Sequence, residues 1–308
     1  MLRPAARLAL AALVIEAVVG YPDRVHRRAP HPVVGLGAVI GAGERRLNRS
    51  DLSPRRRRAG GIATLLAAVG AAAVAGVAAS RLPRPGPVLA ATIGLAQRSL
   101  YDHVEAVARA LDADDLPAAR AAVGKIVGRD TEALDRSGVA AAAIESLAES
   151  FNDGVVAPAF WLLLAGLPGL YAYKAVNTAD SLIGHREPRW KDFGWAAART
   201  DDLMNLIPAR LAGALIAAAS GRGWRTMFRD ARLHASPNAG WPEAAMAGAL
   251  GVRLGGPVAY DGVMTERPTF GEGPPPTPGD LRRALGAYVR ACGLLWAAIA
   301  IGGASWRR

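Results

Sequence analysis

The 308-residue sequence contains a single cysteine, Cys292, in an apolar stretch. One cysteine cannot form an internal disulfide, and no cysteine or histidine spacing resembles a zinc site. Aromatic residues make up only 6% of the chain, and none is interleaved with basic residues in a nucleic-acid-binding motif. Nucleotide-binding fingerprints are also missing, since Lys125–Thr131 lacks the order of a P-loop and the glycines at 35, 37 and 41 make no dinucleotide motif. If the protein uses ATP, its ATP site is therefore unusual.

Hydrophobic residues are abundant, at 51% of the chain, and they are unevenly distributed. The 22 residues from Ala59 to Ser80 carry no charge. As a helix, this run is long enough to cross a hydrocarbon core of about 30 Å. Ala67, Ala71 and Ala75 recur every four positions, which suits close helix packing in lipid. A buried helix in a soluble core is the alternative interpretation.

Further apolar segments predict an all-α fold, a polytopic membrane helical bundle with amphipathic cytoplasmic helices, in which residues 1–308 form one domain. Arg81–Pro87 is typical of a tight turn and would join two of the segments as a hairpin. A Leu-Pro-Gly sequence at 167–169 interrupts another, as in the broken helices that often build binding sites. The segments lie at about 4–20, 59–80, 87–100, 154–176, 203–219 and 284–306.

The net charge of +11 comes almost entirely from arginine. Ten arginines in residues 21–58 precede the longest apolar run, which favours a cytoplasmic loop of a multi-pass protein in the inner or plasma membrane of the cell. Arg3 and Arg7 precede the first apolar segment, but no cleavage site precedes Tyr21, so we expect an uncleaved anchor. The bilayer is the expected partner, and nucleic acid is not.

Four groups of polar residues are candidates for chemistry. Glu145, Glu149 and Asp153 follow at four-residue spacing, which on a continuous α-helix places three carboxylates on one face. Three stacked carboxylates are tolerable in water, beside arginines, or around a cation such as the Mg²⁺ of a nucleotide. A solvated acidic face is the alternative interpretation. Because an apolar run begins directly after Asp153, these acids are expected at a membrane boundary.

The second group, Lys174, Asn177 and Asp180, shares a helix face at the end of the broken apolar segment. A cation, an amide and a carboxylate there suit a polar ligand or metal, although Lys174 could instead extend to the interface. The third group comprises Arg199 with Asp201 and Asp202, whose DDxxN pattern is similar to the diphosphate–Mg²⁺ motifs of membrane prenyltransferases.

The fourth group lies in the run from Arg229 to Glu243 and includes His234 and Asn238. Ser236–Gly240 is a typical loop, and Pro242–Glu243 fits the start of a helix, where backbone amides favour anions. An ordinary loop with a helix cap explains the same pattern. From the residues alone, the chain is a polytopic membrane protein with a polar, anion-binding and metal-capable site, and a transferase, a ligase and a transporter all remain open.

Taken together, these motifs resemble the CobD/CbiB family, the adenosylcobinamide-phosphate synthases of cobalamin biosynthesis. The resemblance covers about residues 20–260 in the family's order. It departs at Tyr21, where the family commonly has Asp, and at Ser150, where it commonly has Asn. The matching segments include His31–Val33 with Glu44, Val127–Thr131, Glu145–Glu149, Asp153–Pro158, Tyr173–Ser181, Phe193–Trp195, Arg199–Asn205, Pro208–Arg210 and His234–Val252.

The resemblance implies an ATP-dependent acid–amine ligase that joins adenosylcobyric acid to (R)-1-amino-2-propanol O-phosphate as an amide. ATP and Mg²⁺ are the implied cofactors, and other corrinoid-assembly membrane proteins are possible partners. The implied catalytic residues are Glu145, Glu149 and Lys174. Cofactor and substrate binding would use Arg129, Asp130, Asn177, Arg199, His234 and Asn238, and Mg²⁺ would be held by Asp153, Asp180, Asp201 and Asp202. A corrinoid transporter or assembly scaffold and an intramembrane phospho- or prenyl-transferase are the competing hypotheses.

Overall fold

A computed structural model describes residues 2–20, 32–185, 187–260 and 262–304. This part of the chain is predominantly helical, which confirms the predicted all-α class, although four short strands interrupt the helices late in the chain. Tyr21, His31 and Trp306 lie outside the described residues. The α-helices are α1 Pro4–Val19, α2 Pro32–Leu47, α3 Pro54–Ser80, α4 Gly86–Ile93, α5 Gln97–Asp112, α6 Leu116–Val123, α7 Arg136–Phe151, α8 Ala157–Ile183, α9 Trp195–Met204, α10 Leu206–Ser220, α11 Trp224–Asp230, α12 Gly240–Leu250 and α13 Pro278–Gly303.

The remaining regular elements are short. A π-helical turn, Asn152–Val156, links α7 to α8, and a 3₁₀ turn, Ala231–Leu233, follows α11. The strands form two separate antiparallel pairs, β1 (Leu254–Gly255) with β4 (Thr269–Phe270) and β2 (Val258–Tyr260) with β3 (Val263–Thr265).

Three stretches of helix are long and apolar enough to cross a membrane, within the part of the chain that the structure describes. They are Pro54–Ser80, the continuous stretch Arg136–Ile183 and Pro278–Gly303, and α9 with α10 add a fourth if that broken pair counts as one span. These helices confirm the prediction that the chain contains several helices long and apolar enough to span a membrane. The expected anchor at 4–20 forms α1, which at 16 residues is shorter than the three spans.

The predicted apolar segment 87–100 is wrong as a single helix. Helix α4 ends at Ile93, Gly94 caps it, and α5 starts at Gln97, so neither piece is a span. Gly94 also allows the side chain of Leu170 to approach closely, because a Cβ at that position would overlap it. The predicted break at 167–169 is confirmed one residue earlier, at Gly166, whose φ of +66° lies in the left-handed region.

The chain forms two compact units. The first unit consists of Met1–Ala96, Ala157–Asn205 and Ile299–Arg308, and the second of Gln97–Val156 and Leu206–Ala298. The prediction that residues 1–308 form one domain stays a prediction.

The first unit is held together by long apolar helices. Its core gathers Ile40, Leu65, Val176 and Phe193 from α2, α3, α8 and the segment before α9. Helix α3 packs through Gly61, Thr64, Ala68, Ala72 and Gly76, one position away from the predicted stripe at Ala67, Ala71 and Ala75. The prediction of that stripe was wrong because the two glycines, which carry no Cβ, decide which face of α3 comes closest to its neighbours.

The second unit combines short helices with the two strand pairs. Amphipathic α5 buries Leu100, Val104 and Val107 on one face, as its helical spacing predicts. Helices α10, α11 and α12 pack together, and Gly213 permits this because a Cβ at that position would overlap the backbone of Trp241. Helix α7 contacts both α12 and β1, and this packing brings the candidate site together.

Candidate functional site

Arg267 lies at the centre of a buried cluster of charged side chains in the second unit. Its Nη1 atom is 3.4 Å from Oε2 of Glu145, and its Nη2 atom is 3.5 Å from Oε2 of Glu243. The two glutamates are 3% and 1% exposed. Carboxylates are almost never buried to this extent unless they are paired, so Arg267 is what allows both to lie in the interior.

Glu145 is fixed through both of its carboxylate oxygens. Oε1 accepts a hydrogen bond of 2.8 Å from the backbone amide of Gly255, and Oε2 also accepts from Arg129. Gly255 has a φ of +79°, and a Cβ there would overlap the carbonyl of Pro268, so strand β1 requires glycine at this position. Glu145 therefore joins α7, β1 and two arginines, and its role in the site is to position them.

Glu243 lies in the first turn of α12, a helix that is buried along nearly its whole length. Its Oε2 atom has no hydrogen-bond partner among the described residues, while Oε1 lies 3.7 Å from Nε2 of His234. Burial raises the pKa of Glu243 well above its usual value, and the nearby carboxylates of Glu149 and Glu145 raise it further. The protonated form of Glu243 is therefore favoured in the folded protein.

His234 is oriented by the loop that the sequence predicted. The backbone amide of Ser236 donates to Nδ1 at 2.9 Å, so in the neutral ring the proton is on Nε2, which faces Glu243. The Ser236 hydroxyl accepts hydrogen bonds from the amides of Asn238 and Ala239. This confirms that the run from Ser236 forms a loop leading into a helix, α12.

Glu149 lies one helical turn after Glu145 on α7 and is the accessible carboxylate of the cluster. Its side chain is exposed, and it lies close enough to Arg129 and Arg267 to interact with both electrostatically. Because Glu149 is close enough to raise the pKa of Glu243, it belongs to the same electrostatic group. It can therefore meet a ligand while being held beside Arg129 and Arg267.

Asp153 follows Glu149 across a change of helix type. The chain changes to a π-helical turn at Asn152, so the α-helix is not continuous through Asp153 as predicted. The predicted proximity of the carboxylates holds, since Asp153 lies close enough to Glu149 to interact with it electrostatically. Asp153 is half-buried, and its Oδ1 accepts a hydrogen bond of 2.7 Å from the side-chain amide of Asn152.

Asp130 and Asn238 have local partners in the second unit. The Asp130 carboxylate accepts from the amide of Gly262 at 2.7 Å, and its own amide donates to Ala259, so it supports the β2–β3 hairpin. Asn238 is buried, and its Oδ1 lies 3.4 Å from Nη1 of Arg210. These contacts give both residues a structural task, and their roles in binding stay predictions.

The other predicted site residues lie in the first unit. On α8, Nζ of Lys174 donates to Oδ1 of Asn177 at 3.3 Å, which confirms that they share a face. Lys174 also lines an otherwise apolar cavity of about 280 Å³ between α2, α3, α4 and α8. The carboxylate of Asp180 lies against Gly184 at the end of the same helix, where a Cβ would overlap it.

Both members of the acidic pair on α9 have a local partner. Asp202 forms an ion pair of 3.0 Å with Arg199, and Asp201 accepts a hydrogen bond from Asn205 at 3.0 Å. Asn205, in turn, accepts from the buried hydroxyl of Tyr173. The structure thus assigns Arg129, Asp130, Glu145, Glu149, Asp153, His234 and Asn238 to the second unit, and Lys174, Asn177, Asp180, Arg199, Asp201 and Asp202 to the first.

Two members of the cluster were not found by sequence reasoning. Glu243 was assigned only to a helix start, although an acid directly after a proline in an otherwise apolar run was a signal. Arg267 carried no local signal, because it is one of many arginines and follows a poorly patterned segment. Over the described residues, no group of three or more His, Cys, Asp or Glu side chains is arranged to hold a metal ion.

The comparisons with known proteins agree with the family suggested by the motifs. The family model described as "CobD/Cbib protein" matches residues 9–288. The chain is 50% identical over 296 residues to "Cobalamin biosynthesis protein CobD" of Rhodobacter capsulatus, covering 93% of each chain. It is 50% identical over 273 residues to the protein of that name from Brucella suis, covering 83% of this chain and 84% of that one. No solved structure matches.

These matches define a helical protein of cobalamin biosynthesis. The chain belongs to the CobD/CbiB family, and the resemblance seen in its motifs is confirmed.

Proposed function

We propose that the protein is an adenosylcobinamide-phosphate synthase, which uses ATP to join adenosylcobyric acid to (R)-1-amino-2-propanol O-phosphate as an amide. Family membership supports a step of cobalamin biosynthesis. The observation that carries the finer assignment is the buried cluster in which Arg129 and Arg267 lie among Glu145, Glu149 and Glu243. Such a set suits a reaction between anions that must also remove a proton from an amine.

The reaction needs both activation and proton removal. A carboxylate is a poor electrophile, so transfer of the terminal phosphoryl group of ATP would convert it to an acyl phosphate with release of ADP. The amine nitrogen then attacks the carbonyl carbon, the C–N bond forms, and the C–O bond to phosphate breaks. One proton leaves the nitrogen, and the developing charge on the carbonyl oxygen needs hydrogen-bond donors.

Glu149 fits the role of the base because its carboxylate is accessible and is held beside two guanidinium groups. Glu145 acts through Arg129 and Arg267, which it orients. With Glu243 protonated, Arg129 and Arg267 offset the charges of Glu145 and Glu149. An anionic substrate then meets guanidinium groups that are already fixed in place.

Mg²⁺ fits the carboxylates as an ion shared with nucleotide phosphates. It commonly uses only one or two protein carboxylates and fills its other positions with water and phosphate oxygens. Asp153, four positions after the accessible Glu149, supplies a carboxylate of this kind, and Asp180, Asp201 and Asp202 are proposed for the same role in the first unit. When bound, the ion would neutralise charge on the phosphoryl oxygens.

The remaining roles are binding roles. We assign phosphate or carboxylate binding to Lys174, Arg129 and Arg199, and substrate positioning to Asp130, Asn177, His234 and Asn238. The apolar helices support a multi-pass location in the cell membrane, with the arginines before α3 on the cytoplasmic side. Other corrinoid-assembly membrane proteins are proposed partners.

The test is turnover by the protein purified in detergent and supplied with adenosylcobyric acid, aminopropanol phosphate, ATP and Mg²⁺. We expect a product heavier by one aminopropanol phosphate less one water, with ADP released only when all components are present. Glu149→Gln should lower kcat by about 100-fold or more, the usual contribution of a positioned acid or base. Glu132→Gln, at an exposed acid in the same unit, is the matched control and should stay near wild type.

Near-normal turnover in a folded Glu149→Gln variant would remove Glu149 from its proposed role. Intact ATP alongside bound corrinoid would point to the transporter or scaffold hypothesis. Turnover of a lipid substrate without ATP would point to the transferase hypothesis that rests on Asp201 and Asp202.

A further inference from the structure

The second unit contains a cavity that is lined by four arginines and by no acidic residue. It measures about 400 Å³ and lies where the end of α10 meets the first half of α13, with Ala249, Leu250 and Ala287 among its apolar lining. The arginines are Arg222, Arg282, Arg283 and Arg290. None of them belongs to the cluster around Glu145.

Two of these arginines are neutralised by ion pairs. Arg282 pairs with Glu105 and Asp112, and Arg283 pairs with Asp280. Arg222 and Arg290 form no ion pair with any described residue. The guanidinium groups of Arg222 and Arg290 therefore leave the cavity with a net positive charge. The carboxylate partners of Arg282 and Arg283 do not line it.

The cavity also has hydrogen-bond donors and space that no other part of the described chain uses. Nε of Arg290 donates to the carbonyl of Ala219 at 3.0 Å, which caps α10, but its terminal nitrogens form no hydrogen bond with the described residues. Ser220 lines the cavity, and its buried hydroxyl oxygen has no hydrogen-bond partner in the described chain. Capping of α10 accounts for the Nε atom of Arg290. It does not account for the terminal nitrogens of Arg290 or for the Ser220 hydroxyl.

Gly286 provides the room for the Arg290 side chain. A Cβ at Gly286 would lie 3.3 Å from Nη1 of Arg290, so the guanidinium lies against the bare backbone one turn before its own Cα. On the same helix, Gly293 has nothing within 4 Å of its own Cβ position. A larger residue at 286 would therefore displace the Arg290 guanidinium or fill the cavity, whereas one at 293 would not.

The cavity lies where the charged first half of α13 passes into its uncharged second half, beside the end of α10. Helix α10 ends at Ser220, and the part of α13 after Arg290 runs to Gly303 without a charged residue. Arginines at the ends of apolar helices mark the interface, where lipid phosphates lie. Guanidinium groups bind phosphate oxygens through paired, charge-assisted hydrogen bonds.

We propose that this arginine-lined cavity is a binding site for a phosphate group, supplied either by an anionic lipid headgroup or by a soluble phosphate compound. Arg222 and Arg290 would form charge-assisted hydrogen bonds to the phosphate oxygens, and the Ser220 hydroxyl would donate a further one. The apolar lining would contact the part of the ligand nearest the phosphate.

The test uses the full-length protein in a neutral detergent, with binding followed by native mass spectrometry and by the shift in unfolding temperature. The probes are dioctanoyl phosphatidic acid, dioctanoylglycerol, which lacks only the phosphate, and inorganic pyrophosphate. We expect phosphatidic acid to bind the double variant Arg222→Gln/Arg290→Gln at least about tenfold more weakly than wild type, since the charge-assisted hydrogen bonds of two guanidinium groups to the phosphate are lost. Arg225→Gln, at an exposed arginine on α11, removes the same charge outside the cavity and should leave binding unchanged.

Gly286→Val, with Gly293→Val as its control, tests the site without removing any charge and covers the case in which the arginine variants fail to fold. Residue-dependent binding of pyrophosphate without binding of the lipid would identify a soluble phosphate compound as the ligand. Dioctanoylglycerol bound as strongly as phosphatidic acid would overturn the proposal. So would binding that is equal in wild type, the double variant and Gly286→Val.

Discussion

The two units of this protein share close packing at glycines but differ in the charge that they bury. In the first unit, helices approach one another where side chains are absent. A Cβ at Gly61 would overlap the carbonyl of Phe193, and one at Gly76 would lie 2.6 Å from the Cα of Pro168. Close packing of this kind gains dispersion energy and suits helices in a hydrocarbon environment.

The second unit adds several buried charged side chains to such contacts. Glu145 and Glu243 are almost completely enclosed, and Arg267 lies between them. Nearby, Asp230 is 5% exposed, and its pKa is held below its usual value by the hydrogen bond from Arg229. Replacing buried ion pairs with apolar residues of similar volume is often neutral or stabilising in other proteins. The charges in the second unit are therefore better explained by chemistry than by stability.

Removal of the Arg267 guanidinium should have the largest effect on the free energy of unfolding. Arg267→Met leaves Glu145 and Glu243 facing each other with one guanidinium fewer, and we expect a loss of about 3–5 kcal/mol in the free energy of unfolding. The double variant Arg267→Met/Glu243→Gln should recover part of that loss, because one carboxylate is removed with its partner. Denaturant unfolding in detergent measures both, and a loss under about 1 kcal/mol for the single variant would contradict a buried, mutually dependent cluster.

The first unit should be sensitive to volume rather than to charge. Gly61→Ala forces α3 away from Phe193 and should cost about 1–3 kcal/mol, the usual range for overpacking. Gly70→Ala, on the same helix, adds a methyl group where nothing lies within 4 Å and should be neutral or slightly stabilising. Equal unfolding temperatures for the two variants would show that the contact at Gly61 does not hold the helices together.

The dependence of stability on pH should come from the second unit. Because the pKa of Glu243 is raised, the folded state binds a proton more tightly than the unfolded state does. Its contribution is fully present below the ordinary value of 4.5 and is lost as the pH rises above it, at a rate of up to about 1.4 kcal/mol per pH unit. The measurement is the difference in unfolding free energy between wild type and Glu243→Gln as a function of pH. A difference that stays flat from pH 4 to pH 8 would show that Glu243 is charged in the folded protein.

The sequence was sufficient for the apolar helices and for much of the site chemistry. Long charge-free runs have few alternatives to a helix, so Ala59–Ser80 was assigned correctly, and Gly166 broke α8 close to the predicted position. The prediction failed where tertiary packing decides the local conformation. Gly94 follows the last residue of α4 and packs against Leu170 of α8, and no local pattern reveals that contact.

Only part of the site was predicted, because the rest of it also depends on tertiary contacts. Glu145 and Glu149 carry a helical spacing that can be recognised along the chain, and His234 lies in a recognisable loop motif. Arg267 joins the cluster only through the strand pairing that follows α12, so its role depends on contacts that no sequence window contains. The register change at Asn152 likewise reflects an extra residue in one turn, which leaves no compositional trace.

The hydrogen bonds to Glu145 also have a consequence for how the chain folds while it is being synthesised. Its partners Gly255 and Arg267 lie 110 and 122 residues further along the chain. At about 5–20 residues per second, roughly 6–24 s separate the synthesis of Glu145 from that of Arg267. Helices α8 to α12 are made during that interval, so Glu145 must wait, partnered by water or by Arg129 alone, until Arg267 arrives. Closing the cluster is accordingly a late event in folding, because these five helices are made before it.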